Sequence, residues 1–177
     1  MEQVLNGNLE AFEPLVNPYR KRLLSLAYRI SRNWEDAKEI SQETLLRVFK
    51  YLKKYDSQKS FRNWLFQILV NAARNFNQKK KRGDRPENIR PDTQMFNPER
   101  MHQEREFRSR LMEYLEELSP REREVFVLRD IEDCSVIESA RILECSSLAV
   151  RVHLSSARKK IRDKFKEKCP SLKESLP

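Results

Sequence analysis

A chain of 177 residues has room for one or two small domains with modest cores. Only 38% of its residues are hydrophobic and 36% are charged, and it holds two glycines and eight prolines. Glycine-dependent hairpins are therefore scarce and no stretch alternates with period two, which excludes a sheet-based fold and predicts an all-helical one. The net charge of +9, with a sequence pI near 9.6, favours a polyanionic partner.

The charge is unevenly placed. Residues 1–78 carry 13 Lys/Arg against 8 Asp/Glu, residues 79–100 carry 7 against 4, residues 101–150 carry 7 against 12, and residues 151–177 carry 9 against 3. An acidic block thus separates two basic ones, and nucleic acid is expected on the basic blocks with some other partner on the acidic one. Cys134, Cys145 and Cys169 are odd in number and, with His102 and His153, make neither a disulfide framework nor a zinc set. Reduced thiols in the cytoplasm are expected, with no cofactor. No leader pattern and no apolar run near eighteen residues is seen, so neither export nor membrane insertion is expected. Gly7 and Gly83 cannot form a phosphate-binding loop, and no nucleophile pattern stands out, so the chain is not expected to be an enzyme.

In chain order, a helix around Leu9–Val16, disturbed by Pro14, is followed by one that Pro18 starts and that buries Leu23, Leu26, Ala27 and Ile30. Asn33 caps a long helix with Ala37, Ile40, Thr44, Val48 and Leu52 inside. That leaves Glu39, Gln42, Glu43, Leu46 and Lys50 outside, a face suited to a basic helical partner. Tyr55–Lys59 is a polar loop. Ser60 caps a third helix that buries Phe61, Trp64, Leu65, Ile68, Leu69, Ala72 and Phe76 and runs into Gln78-Lys79-Lys80-Lys81-Arg82. Asn71, Asn75 and Gln78 form a ladder of amides along it. The aromatic, amide and arginine side chains here are the types that hold unstacked bases.

Between 83 and 98, Gly83, Pro86, Pro91 and Pro98 stop the helical pattern and predict a linker. At about 3.3–3.6 Å per residue it could span roughly 55 Å, more than the 34–36 Å or so of one DNA turn. A helix then opens at Asn97-Pro98 and runs to about Leu118, burying Phe107, Leu111, Tyr114, Leu115 and Leu118. Ser119-Pro120-Arg121-Glu122 is a capping box that starts another helix, with Val125, Phe126 and Leu128 on its apolar side. Ser135-Val136-Ile137-Glu138 is a second capping box, opening a short helix with Ile137, Ala140 and Leu143 on one side.

Glu144-Cys145-Ser146 is a turn, and Ser146 caps a longer helix whose buried stripe is Val150, Leu154, Ala157, Ile161 and Phe165. Two helices joined by a tight turn, the second ending in Arg158-Lys159-Lys160-Ile161-Arg162, suit insertion into the major groove of DNA. The outward positions are Leu148, Arg151, Val152, Ser155 and Lys159, flanked by Ser147 and Arg158. Arg151 is the candidate for a bidentate guanine contact and Val152 for a thymine methyl.

Four segments, in order, resemble a bacterial RNA polymerase sigma factor of the extracytoplasmic-function class of the sigma-70 family. Asp36-Ala37-Lys38-Glu39-Ile40-Ser41-Gln42-Glu43-Thr44-Leu45-Leu46-Arg47-Val48-Phe49 is similar to the family's polymerase-binding helix, and Phe61-Arg62-Asn63-Trp64-Leu65-Phe66-Gln67-Ile68-Leu69-Val70-Asn71 to its promoter-melting segment. Leu118-Ser119-Pro120-Arg121-Glu122-Arg123-Glu124-Val125-Phe126 and Ala157-Arg158-Lys159-Lys160-Ile161 resemble the opening and close of its second domain. The resemblance implies residues 1–82 as sigma region 2, 83–98 as linker, 99–170 as region 4 and 171–177 as tail.

The resemblance further implies binding of core RNA polymerase through its clamp helices and flap, with Asp36, Glu39, Gln42, Glu43 and Leu46 on the docking face. It implies capture of the −10 element and its opened strand by Tyr55, Ser60, Arg62, Asn71, Arg74, Asn75, Gln78 and Lys79. Reading of the −35 element falls to Ser147, Arg151, Val152, Ser155, Arg158 and Lys159. An anti-sigma partner is implied as well. The chain departs from the family pattern at Asp133, where Gly is usual, and at Glu144, Leu148 and Ala149 around the turn. Two other readings use the same residues: a stand-alone helix-turn-helix regulator, and an RNA-binding antiterminator.

Overall fold

The computed structural model describes residues 12–83 and 111–168. Every regular element among them is helical. The chain divides into two units, Met1–Asp92 and Thr93–Pro177. The expected helix start at Asn97-Pro98, the residues of the expected linker beyond Gly83, and the tail lie outside the described residues.

The first unit holds α1 (Phe12–Ser31), α2 (Trp34–Tyr51), a single 3₁₀ turn (Leu52–Lys54) and α3 (Phe61–Lys81), each helix packed on the other two. Helix α1 runs unbroken through Pro14 and Pro18, so the expected break between two helices there does not occur. Pro14 lies in the first turn, where its missing amide would have no intrahelical partner. Pro18 forfeits one internal bond, yet Val16 and Leu23, seven residues apart across it, are both fully buried. One continuous apolar stripe packed on two helices holds the chain helical through the proline.

Helix α1 ends at Arg32, whose φ is 63° and whose amide donates to the Tyr28 carbonyl at 2.8 Å. Asn33 follows as the cap of α2, its side-chain oxygen accepting from the Asp36 amide at 3.0 Å. The expected inner stripe of α2 is buried in full: Ala37, Ile40, Thr44, Val48 and, in the 3₁₀ turn, Leu52. The Thr44 hydroxyl is satisfied by donating to the Ile40 carbonyl at 2.6 Å.

Helix α3 corrects the predicted stripe. Leu65, Phe66, Leu69, Val70, Ala72 and Ala73 are its buried residues, whereas Phe61, Trp64, Ile68 and Phe76 are half-buried. Contact with both α1 and α2 widens and rotates the buried face, so Phe66 is fully buried where Trp64 was expected to be.

The second unit contains α4 (described over 111–116), α5 (Pro120–Phe126), a π turn (Val127–Ile131), α6 (Val136–Leu143) and α7 (Ser147–Lys168). Its core gathers Leu115, Leu118, Val125, Val127, Leu128, Cys134, Ala140, Ile142, Leu143, Val150, Leu154 and Ala157. Both capping boxes form. The Ser119 amide donates to Glu122 at 2.8 Å and the Glu122 amide to Ser119 Oγ at 3.4 Å. The matching distances at Ser135 and Glu138 are 2.7 Å and 3.1 Å.

Asp133 and Glu144 both take left-handed backbone, with φ of 53° and 55°. The Cys145 amide reaches back to the Ala140 carbonyl at 3.0 Å, closing α6 as a glycine at position 144 would. Ser146 Oγ then accepts from the Ala149 amide at 3.1 Å to open α7.

Six residues expected inside this unit are not: Leu111, Tyr114, Phe126, Ile161 and Phe165 are half-buried and Ile137 is exposed. Phe126 is half-buried, because the π turn feeds Val127 and Leu128 into the core after it. Ile137 is 60% exposed, because α6 buries Ser139, Ala140, Ile142 and Leu143 and position 137 projects from the opposite side of the first turn.

Candidate polymerase and nucleic-acid interfaces

The outer face of α2 presents Gln42 and Leu46 to solvent, Leu46 being 66% exposed, with Phe49 at 46% one turn on. Glu39 and Glu43 are half-buried, and Glu43 accepts a 2.6 Å bond from Arg47. Phe49 was not among the expected docking residues. It lies one residue beyond Val48 of the buried stripe, and its exposure depends on where α1 and α3 pack. Its ring meets that of Phe12 edge-on, with centroids 5.2 Å apart.

Asp36 lies elsewhere than expected. Its carboxylate accepts a 3.1 Å bond from Lys80, with only 14% of the side chain exposed, so it ties the start of α2 to the end of α3. The same bond ties down Lys80 within the basic run Lys79-Lys80-Lys81-Arg82.

The loop between the 3₁₀ turn and α3 is built around Tyr55. Its ring lies 5.3 Å from Phe61 and 5.0 Å from Trp64, and Tyr19 of α1 lies 5.6 Å from Phe61. The Tyr55 hydroxyl donates to the Lys59 carbonyl, and burial, then the neighbouring Asp56 charge, pushes its pKa up, so it stays a neutral donor. Asp56 is held below the usual carboxylate range, first by the Gln58 amide and then by Lys59. The amide bond from Gln58 measures 3.0 Å and the Lys59 ion pair 3.2 Å.

Ser60 is used as a cap, its hydroxyl oxygen accepting from the Asn63 amide at 3.4 Å. Arg62 lies over the Phe66 ring at 5.9 Å. Along α3, Arg74 donates to Asn71 at 3.5 Å, and Asn75, Gln78, Lys79, Lys81 and Arg82 are exposed. The aromatic cluster, the amides and the free cations therefore follow one helix from its cap to its basic end.

In the second unit Leu148, Arg151, Val152, Ser155 and Lys159 are exposed on α7 and Ser147 is half-buried. Arg158, expected on DNA, instead forks onto Asp130 with bonds of 2.8 and 2.6 Å. That carboxylate raises the arginine pKa against the opposing effect of burial. Lys160 donates to Glu122 at 2.7 Å, Ser156 to the other oxygen of Glu122 at 2.6 Å, and Lys164 pairs with Glu117 at 3.0 Å. The acidic block and the basic block after it thus answer one another across helices. Asp130 and Glu122 carry no local signal of this in sequence, since their partners lie 28 and 38 residues away.

Residues 15–83 match the model of sigma-70 region 2, and residues 108–161 match that of sigma-70 region 4. Among curated relatives, the RNA polymerase sigma-H factor of Pseudomonas aeruginosa is 27% identical over 174 residues, spanning 91% of this chain and 89% of the relative. The ECF RNA polymerase sigma-E factor of Escherichia coli is 27% identical over 177 aligned positions, 93% of this chain and 91% of that protein. The chain belongs to the extracytoplasmic-function class of the sigma-70 family. Its structure is similar to that of CnrH, solved in complex with the cytosolic domain of CnrY, at 26% identity and a TM-score of 0.71, covering 94% of each chain. The fold is shared by RpoE of Bartonella quintana at 20% identity and a TM-score of 0.68, over 89% of this chain and 98% of that one. In this sigma-70 family member, α1 from Leu15 onward, α2 and α3 fall in the region 2 match, and the helix-turn-helix, α6 and the first two-thirds of α7, falls in the region 4 match. Among the described residues no helix is long and apolar enough to cross a membrane.

Proposed function

We propose that this chain is an alternative sigma factor, which binds core RNA polymerase, brings it to promoters and promotes strand opening. The observation that carries the reading is the ordered pair of matches, region 2 then region 4, on two helical units. Residues 1–82 form the polymerase-binding and −10 domain, 83–98 the linker, 99–170 the −35 domain and 171–177 the tail. The exposed face of α2, with Glu39, Gln42, Glu43, Leu46 and Phe49, docks on the polymerase clamp helices. Asp36 acts behind it as a positioning residue.

Unstacked bases are held beside Tyr55 and Arg62 and along Asn71, Arg74, Asn75 and Gln78, with Lys79 on phosphate. Arg151, Val152 and Ser155 face the upstream element, and Lys159 grips phosphate. Arg158 supports the recognition helix through Asp130. The chain itself makes and breaks no covalent bond; polymerase does the chemistry, in the cytoplasm. CnrH was solved with the cytosolic domain of CnrY, and an anti-sigma partner is proposed for this chain by analogy.

The test is transcription in vitro with purified sigma-free core polymerase on a panel of templates. Specific initiation is expected. The double variant Gln42→Ala, Glu43→Arg is expected to abolish association with core while leaving the circular dichroism spectrum unchanged. A dimer that footprints palindromes without polymerase would identify a stand-alone regulator, and dependence on RNA an antiterminator.

A further inference from the structure

Helix α1 holds no residue of the proposed nucleic-acid face, yet it brings positive charge to the edge of the aromatic cluster. Arg20, Lys21 and Arg22 are consecutive and all three are exposed. Tyr19, on the same side of the helix as Arg22 three residues on, meets the Phe61 ring of α3 with centroids 5.6 Å apart. Arg22 itself reaches across to α3, where its guanidinium lies over the Phe66 ring at 5.6 Å. Arg62, next to Phe61 in α3, lies over that same ring at 5.9 Å, and its Nε donates to Asn63 at 3.4 Å.

Two guanidiniums from two helices are thus gathered on one ring. Phe66 is fully buried, so the ring is a fixed platform, and a cation over a desolvated aromatic face is held more firmly than one at an exposed site. The platform sets two like charges close to a common point, an arrangement that repels itself until an anion joins it. The planar fork of arginine matches the oxygens of a phosphate. We infer that Arg22 and Arg62 together hold a backbone phosphate of the opened promoter strand where it passes the Tyr55, Phe61 and Trp64 rings. A small free anion would need only the charge pair. Here Tyr55 lies 5.3 Å from Phe61 and Phe61 adjoins Arg62, so rings for bases and cations for the backbone lie side by side along α1 and α3. That is the surface a single strand requires.

This inference rests on the strand-opening reading above, and the experiment tells the two apart. Holoenzyme assembled from the full-length chain and core polymerase would be bound to a forked promoter template whose non-template strand is single-stranded over the melted segment. The linkages of that strand would be neutralised one at a time as methylphosphonates. One linkage is expected to weaken binding by the wild type roughly tenfold, the low end for a hydrogen bond to a charged group. Arg22→Ala should weaken binding to the unmodified template by a similar factor and lose most of its sensitivity to that linkage. It should also make the slope of log affinity against log salt shallower by about 0.7, the share of one single-strand phosphate. Arg22→Lys keeps the charge and should recover most of the slope. Association with core and the circular dichroism spectrum should not change in either variant, since Arg22 is exposed.

Should Arg22→Ala lower the melting temperature while keeping the wild-type salt slope and linkage response, Arg22 does no more than cover Phe66 and the inference falls. A wild type that binds the fork well but has no sensitive linkage overturns the inference alone. Holoenzyme that binds no promoter template, forked or duplex, overturns the sigma-factor reading and this inference with it.

Discussion

Glu122 has both carboxylate oxygens occupied. One accepts from Ser156 at 2.6 Å, the other from Lys160 at 2.7 Å and from the Ser119 amide at 2.8 Å. Burial alone would raise its pKa, but Lys160, then Ser156, then Ser119 outweigh it and bring the carboxyl down to about 2. A folded pKa below the unfolded one contributes stability that is complete above pH 4.5 and is lost as pH falls from there toward 2. The loss should amount to about 2 kcal/mol by pH 3 and about 3 kcal/mol in full. Urea melts of the wild type at pH 7, 4 and 3 should show it. Glu122→Gln should lower stability at pH 7 by about 2 kcal/mol, the worth of charged hydrogen bonds, and flatten the acid dependence.

Asp133 and Glu144, at φ of 53° and 55°, occupy backbone that glycine adopts without strain. Asp tolerates the left-handed region better than Glu does. Glu144→Gly is therefore expected to stabilise by about 0.5–1 kcal/mol, after the extra entropy of glycine in the unfolded chain, and Asp133→Gly by less. Thermal melts of the two variants would check the order.

At the scale of elements, the helix starts were legible and the faces between helices less so. Asn33, Ser60, Ser119, Ser135 and Ser146 all cap as their sequence patterns indicated, because a cap is decided within four residues. The inner stripe of α2 was legible for the same reason of short period. The α3 face was not, because two packing neighbours decide which residues lie deepest. Pairs such as Asp36 with Lys80 and Asp130 with Arg158 were illegible, since nothing local joins residues 44 and 28 apart.

Lys159→Ala is expected to reduce the slope of log affinity for promoter DNA against log salt by about 1, as for a lost phosphate contact. Arg158→Ala should leave that slope unchanged and lower the melting temperature by freeing Asp130. Salt titrations of holoenzyme binding, alongside melts, would separate the two residues.

At the scale of the molecule, each unit has its own apolar centre, one around Phe66 and Leu26 and one around Leu128 and Leu143. Fragments 1–92 and 93–177 are each expected to fold alone and melt cooperatively by circular dichroism. A fragment that remained unfolded would show that its centre is too small to sustain it. By itself the sequence determined the helical class, the positions of the caps, the helix-turn-helix and the family, all of them properties of short segments and their order. Only the tertiary structure decided that Asp36, Lys80, Arg158 and Lys160 are internal ties, and that Phe49, Leu148 and Val152 are exposed. Those outcomes depend on which charges and side chains distant helices bring together, and a run of residues read along the chain does not contain that information.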